Sequence, residues 1–297
     1  MPLQALYDLP APAKLNLFLH ITGRRSDGYH LLQSVFILID WADTLHVERR
    51  SDGLLLRHDL GPALPADDLI LRAARALQQA SGCTLGADIS VLKTVPWGAG
   101  MGGGSSDAAT VLLALNRLWN LNWPRARLLQ LATPLGADVP FFVGGDNAFV
   151  EGIGDVLTPV EWKPRSYAVV KPAQALPTAR IFSHPDLARD TKPATVVGSL
   201  AHLNAEHESR ARYLAFGRND LQEVAQALCP PIEKIAQWLE GRYGNSRMTG
   251  SGSAVFARVD EEVAARDVSW PQGEFPAGWT GRMCRSLSHH PLRDWAA

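Results

Sequence analysis

Apolar and polar residues alternate across residues 14–21, KLNLFLHI, and this period of two predicts a strand. Leu15, Leu17, Leu19 and Ile21 would share one face, leaving Lys14, Asn16, Phe18 and His20 on the other. Residues 31–39 and 44–49 read as two further strands, separated by small and acidic residues. The period lengthens after Asp68, where Leu69, Ile70, Ala73, Leu77 and Ala80 recur at helical spacing until Gly82 stops the pattern. Residues 87–95 return to a strand pattern, which Pro96 ends. A glycine-dense run at 98–104 is unsuited to an element interior, and Ser105 or Ser106 is placed to cap a following helix. Asp107 would complement the positive end of that helix, and Val111, Leu112, Leu115, Leu118 and Trp119 would form its apolar face.

A short helix is expected over 126–132, followed by a loop at 134–138. The second half begins a new strand at 167–171 and carries helical patterns near 220–228 and 232–239. A glycine/serine loop at 249–253 leads into a strand over 254–259, and the residues from Trp270 onward have only weak patterning. A chain of 297 residues can build two adjoining cores, and the proline-flanked stretch 159–164 divides it into a domain over 1–160 and another over 161–297.

The formal net charge of −1 supplies no global field to attract nucleic acid or an anionic membrane, so a polyanion would have to be held by a local site. Cys83, Cys229 and Cys284 are odd in number and form no C-x-x-C pair, which argues against a disulfide framework or a structural zinc cluster and suits a reducing cytoplasm. The first residues lack a basic segment followed by an apolar run, and no apolar stretch approaches the roughly 20 residues of a membrane span. A cytoplasmic protein is expected.

The glycine run sits where a strand ends and a helix begins, so loop amides and first-turn helix amides can converge on one anion. Gly98, Gly100, Gly102, Gly103 and Gly104 would supply the close backbone approach, with the Ser105 and Ser106 hydroxyls as added donors. Three other readings compete. A flexible linker does not need the apolar elements that enclose this run. Gly98, Gly100 and Gly103 satisfy G-x-G-x-x-G, but a dinucleotide fold requires a second strand ending in an acid about 20 residues on, where this chain has Asn120, Asn122 and Pro124. The lysine of a P-loop is missing as well.

Phosphoryl transfer also needs a group that orients the acceptor hydroxyl and positive charge near the moving oxygens. Asp138 lies between a glycine turn and an apolar segment, where an unpaired carboxylate would be costly, and Lys14 is the leading candidate to pair with it. A structural ion pair or a helix cap remains open for Asp138, as does an ordinary hydrogen-bonded histidine for His30.

Taken together, these motifs resemble the GHMP small-molecule kinases. The matching pieces span nearly the whole chain: 12–19, 22–25, Asp27-Gly28-Tyr29-His30, 98–109, 135–142, Pro177-Thr178-Ala179 with Ile181-Phe182, Asn219-Asp220-Leu221 and 248–253. The resemblance implies an α/β chain of two domains, an S5-like N-terminal domain and a ferredoxin-like C-terminal one, with both substrates in the cleft between them. It implies ATP and Mg²⁺ as cofactors, with residues 98–106 around the phosphates and Lys93 and Pro96 toward the adenine. It makes Asp138 the catalytic carboxylate and Lys14 its charged partner. The opening segment narrows the acceptor to a small molecule bearing a cytidine diphosphate group. Asn16, Tyr29 and His30 would bind it, the last two around cytosine, with Thr178 and Phe182 completing the subsite. The loop 249–253 would close near the phosphates.

Overall fold

The computed structural model describes residues 3–198, 217–266, 276 and 278–296. A six-stranded sheet has the order β3-β4-β2-β5-β6, with β1 also paired to β2, and a four-stranded sheet has the order β10-β7-β9-β8. Strand β1 (Ala5–Arg24) runs antiparallel to β2 (His30–Arg50), and both are longer than their hydrophobic patterns predict. Pro10 and Pro12 are accommodated within β1 where, among the described residues, only β2 pairs with that stretch, so a missing N–H on the other side breaks no strand pairing.

The predicted break between residues 39 and 44 does not occur. Asp43, one of the acidic residues between the two predicted strands, is fully buried, and its Oδ1 accepts the amides of Thr94 (2.6 Å) and Val95 (2.8 Å). Satisfied in this way, a carboxylate can remain inside a continuous strand. The face assignment in β1 also changes after Asn16, because a register shift between Asn16 and Leu19 inserts one residue against β2. Phe18 therefore joins Leu15 and Leu17 in the core, whereas Leu19 lines the cleft with Lys14 and Asn16.

Helix α1 (Leu69–Ser81) has the predicted ends: Asp68 Oδ1 accepts the Leu71 amide (3.1 Å), and Gly82 closes the helix at φ 65°. It follows β3 (Leu55–Asp59), which the sequence pattern did not reveal and which pairs in parallel with β4 (Gly86–Leu92). Strand β4 stops before Lys93 because the next amides turn toward Asp43. Helix α2 (Gly103–Leu118) begins earlier than expected, with Gly102 at its N-cap, so Ser105 and Ser106 lie inside the first turn and do not cap it. It is buried from Ser106 through Asn116 and forms the spine of the first core, flanked by α3 (Arg125–Ala132) and α4 (Val139–Gly144). Strands β5 (Ala148–Glu151) and β6 (Val156–Pro159) complete the larger sheet.

The smaller sheet contains β7 (Ser166–Lys171), β8 (Arg247–Met248), β9 (Val255–Val259) and β10 (Thr280–Arg285). Further helices among the described residues are α5 (Thr178–Phe182), α6 (Gln222–Leu228), α7 (Pro231–Tyr243) and α8 (Glu261–Arg266). Ile232, Ile235 and Leu239 of α7 pack with Val170 and Val255 from the sheet. A middle core joins both bodies, bringing Leu15, Ile37 and Trp41 against Tyr167, Val169 and Phe256. This shared core fixes how the cleft walls face each other. Among the described residues no helix is long and apolar enough to cross a membrane.

After β10 the chain returns to the first body, where the Leu287 amide bonds to the Leu38 carbonyl and the His290 amide to the Gly145 carbonyl, both at 2.8 Å. His290 is fully buried. Its Nδ1 accepts the Leu292 amide (3.0 Å), and Nε2 has no hydrogen-bond partner. Burial, reinforced by Arg125, lowers its pKa from 6.5 to about 3. Below pH 6.5 the unfolded chain therefore binds a proton that the folded chain refuses, and folding stability falls as pH drops toward 3. The expected slope is about 1.4 kcal/mol per pH unit from this residue. Urea unfolding at pH 7.5 and 5 should show this loss, and His290→Asn, which can still accept the Leu292 amide but does not titrate, should reduce it.

Candidate active site

The cleft centres on a cavity of about 400 Å³ lined by Lys14, Asn16, Gly98, Gly100, Gly102, Ser105, Asp138 and the loop 250–252. Lys14 enters it from β1 with only 3% of its surface exposed. Its Nζ donates to Asn16 Oδ1 at 2.5 Å, lies 3.6 Å from Asp138 Oδ2 and sits 4.4 Å from the centroid of the Phe36 ring. Burial lowers the pKa of this ammonium, and the Asp138 carboxylate opposes that shift. Asp138 is set at the end of a glycine turn, closed by the Val139 amide bonding to the Gly136 carbonyl (3.1 Å), and α4 anchors it through buried Phe141 and Phe142. The carboxylate makes no capping hydrogen bond to α4, and 30% of the side chain remains exposed. It is free to meet a ligand.

The glycine run crosses above Lys14. The Lys14 amide bonds to the Met101 carbonyl (2.9 Å), while the Met101 side chain is buried beneath the loop. Gly102 needs the left-handed conformation, φ 71°, and a Cβ there would lie 2.9 Å from Phe142 Cζ. The first helical bond of α2 runs from the Ser106 amide to the Gly102 carbonyl (2.9 Å), so the amides of Gly103, Gly104 and Ser105 precede the ladder and are available to an anion. Ser105 faces the cleft. Ser106 is fully buried, and its Oγ has no hydrogen-bond partner. From the second body, the amides of Ser253 and Ala254 bond to the carbonyls of Gly98 and Ala99, each at 3.2 Å, joining the two glycine loops backbone to backbone.

Lys93 occupies a different position from the main cleft. Its ammonium bridges Asp43 and Asp107 Oδ2, the latter at 2.5 Å, and it borders a cavity of about 210 Å³ with Leu69, Trp97 and Gly104. Burial raises the Asp107 pKa to about 7 against the opposing pull of Lys93, so this acid is paired inside the core and does not act as a solvated helix-end charge. Pro96 is half-buried at the entrance to the loop, and Trp97, 76% exposed, forms the outer lip.

On the opposite side, a second cavity of about 580 Å³ is lined by Tyr29, His30, Thr178 and Phe182 and shares Leu32, Ala137 and Ile153 with the central one. The His30 ring lies 5.1 Å from that of Phe182, and Tyr29 is largely exposed. Burial first, and then Arg189 and Arg24, lower the His30 pKa and favour the neutral ring. Arg189 Nε donates to His30 Nε2 (3.1 Å), which places the remaining proton on Nδ1. Thr178 Oγ1 is 2.8 Å from Ser251 Oγ.

Sequence reasoning missed Phe36, Arg189 and the Lys93–Asp43–Asp107 cluster. Phe36 was hidden in an apolar run, Arg189 carried no local signal, and Asp43 fell among the small and acidic residues that separate two predicted strands. Asn16 has more protein partners than its assignment to a ligand required: Oδ1 receives Lys14 and Thr249, and Nδ2 donates to Ser34 Oγ (3.0 Å).

The GHMP kinases N terminal domain matches residues 68–146, and the GHMP kinases C terminal domain matches residues 198–269. The 4-diphosphocytidyl-2-C-methyl-D-erythritol kinase of Methylibium petroleiphilum is 60% identical over 296 residues, covering 100% of both chains. The chain belongs to this family of GHMP kinases. The corresponding kinase from an Acidovorax species is 55% identical over 99% of each chain. A crystal structure of 4-(cytidine 5'-diphospho)-2C-methyl-D-erythritol kinase, 33% identical, matches with a TM-score of 0.75 over 93% of this chain and 98% of its own. A mevalonate kinase structure at 12% identity and TM-score 0.68 shares the fold. The two-domain α/β architecture implied by the motifs is therefore the family fold, and this GHMP kinase is an enzyme.

Proposed function

We propose that the protein transfers the γ-phosphoryl group of ATP to the 2-hydroxyl of 4-diphosphocytidyl-2-C-methyl-D-erythritol, giving the 2-phosphate and ADP in isoprenoid precursor synthesis. The observation that carries this reading is the meeting of Gly102, Lys14 and Asp138 in one cavity that opens into an aromatic-lined neighbour.

In this reading, Asp138 accepts a hydrogen bond from the acceptor hydroxyl and orients it toward the phosphorus. Lys14, held dry behind it, faces the charge that develops on the transferring oxygens. The amides of Gly103, Gly104 and Ser105 hold the phosphates at the positive end of α2, and the cavity beside Lys93, Pro96 and Trp97 takes the adenine. The Ser105 hydroxyl at the cleft wall and the glycine positions that a Cβ would obstruct suit this anion-binding role. Mg²⁺ would neutralise charge on the phosphates, and it commonly binds through those oxygens and water. His30 Nδ1–H is a donor suited to the acceptor edge of cytosine, while Tyr29 and Phe182 offer faces for the ring. Holding the cytidine this way anchors the flexible polyol arm so that its hydroxyl reaches the reacting centre in a fixed orientation.

The purified protein, incubated with ATP, Mg²⁺ and this acceptor, should produce a new phosphomonoester signal in phosphorus NMR, and cytidine diphosphate should compete with the acceptor. Folded, ATP-binding protein that makes no such product would overturn the assignment. Turnover of a different alcohol without inhibition by cytidine diphosphate would point to another GHMP substrate.

A further inference from the structure

Lys14 has Asn16 as its close hydrogen-bond acceptor, since Asn16 Oδ1 is 2.5 Å away and Asp138 is 3.6 Å away. The direction of the ammonium therefore depends on which end of the Asn16 amide faces it. An inverted amide would present an NH₂ group to a buried ammonium and leave donor against donor. Two contacts oppose that inversion. Ser34 Oγ receives Asn16 Nδ2–H (3.0 Å) while its own hydroxyl donates to the Phe18 carbonyl. Thr249 Oγ1 accepts the Asn16 backbone amide (2.9 Å) and donates its proton to Asn16 Oδ1 (3.3 Å).

Thr249 is fully buried in the turn between β8 and β9. Its amide bonds to the Ala254 carbonyl and its carbonyl receives the Gly252 amide, both at 3.0 Å, so the backbone fixes the position of the hydroxyl. Gly250, Ser251 and Gly252 line the cleft, whereas Thr249 stands behind them with no exposed surface.

We propose that Thr249 is a positioning residue for phosphoryl transfer: its hydroxyl, supplied by the second body, fixes the Asn16 amide so that the Asn16 oxygen holds the Lys14 ammonium toward the cleft. This rests on the roles given to Lys14 and Asp138 in the proposed reaction. The arrangement makes the electrostatics of the first body depend on correct seating of the second.

Thr249→Val keeps the side-chain shape and removes the hydroxyl, and Thr249→Ser restores it. The expected result for Thr249→Val is a single-turnover rate lower by roughly 10- to 100-fold, with KM for ATP and acceptor near wild type and most of the rate recovered in Thr249→Ser. The Lys14 Cε resonance, assigned in ¹³C-lysine-labelled protein by its loss in Lys14→Arg, should shift in Thr249→Val and return in Thr249→Ser. A wild-type rate and an unmoved Lys14 resonance in Thr249→Val would overturn the proposal. So would raised KM values with an intact single-turnover rate, since Thr249 would then only shape the loop. If wild-type protein does not phosphorylate the cytidine-bearing acceptor, the functional reading fails on its own, and the Lys14 resonance still decides whether the Thr249 hydroxyl controls the ammonium. Should Thr249→Val not fold, Thr249→Ala provides the same hydroxyl-free comparison.

Discussion

Asp138→Asn should lower the single-turnover rate of phosphoryl transfer by about 10²- to 10⁴-fold, the range expected when a positioned acid or base is removed, while KM for both substrates stays near wild type. The substitution preserves shape at the edge of α4 and removes the negative charge. Asp138 makes no capping bond to that helix, so little local structure depends on its carboxylate. The acceptor hydroxyl would lose its anionic hydrogen-bond partner, and Lys14 would keep Asn16 and the Phe36 face as neighbours without a counter-charge. Burial already lowers the Lys14 pKa, so removing the opposing carboxylate favours its neutral form further. Both changes act on the transition state. Rapid-quench measurement with saturating ATP and acceptor checks the prediction, and an unchanged chemical rate would remove Asp138 from the mechanism. A thermal melt of the variant would separate loss of chemistry from loss of fold.

The second large effect concerns the loop. Gly100→Val should destabilise the protein by about 2–3 kcal/mol and raise KM for ATP at least roughly tenfold, because two independent constraints forbid a side chain there. The backbone is left-handed at φ 73°, a region that is especially unfavourable for a β-branched residue. A Cβ would also lie 2.3 Å from the Thr249 carbonyl oxygen and 2.9 Å from the Gly252 amide nitrogen. Both obstructing atoms are backbone and cannot rotate away. Relief would require the two glycine loops to separate, breaking the bonds from Ser253 and Ala254 to Gly98 and Ala99. Gly104→Ala is the matching stability control, since a Cβ there meets only Leu69 Cδ1 at 3.9 Å. Urea unfolding and steady-state titration with ATP would test both variants; wild-type stability in Gly100→Val would show that the loop contact is dispensable.

Much of the secondary structure could be read locally. The capped ends of α1 are written in Asp68 and Gly82, and the glycine-rich approach to α2 is visible in a few consecutive residues. Caps, turns and helical periodicity depend on neighbours within a turn or two, so these features need no knowledge of distant partners. The local rules failed where distant groups altered the outcome. Asp43 reads as part of a break between two strands until the Thr94 and Val95 amides satisfy it, and Ser105 reads as a cap until Gly102 takes that position. Alternation through β1 likewise held only to the bulge after Asn16, which β2 imposes through pairing.

The sequence by itself determined that a strand would lead through a glycine-rich, anion-suited loop into an apolar helix, and its scattered motifs identified the kinase family. Tertiary structure decided that Lys14 lies beside Asp138, that Arg189 sets the His30 tautomer, and that Thr249 reaches Asn16 across 233 residues of chain. The division has a physical cause. Backbone propensity and side-chain periodicity act over a few residues, but the direction of a buried ammonium or imidazole is set by whichever atoms the folded core brings within hydrogen-bond reach.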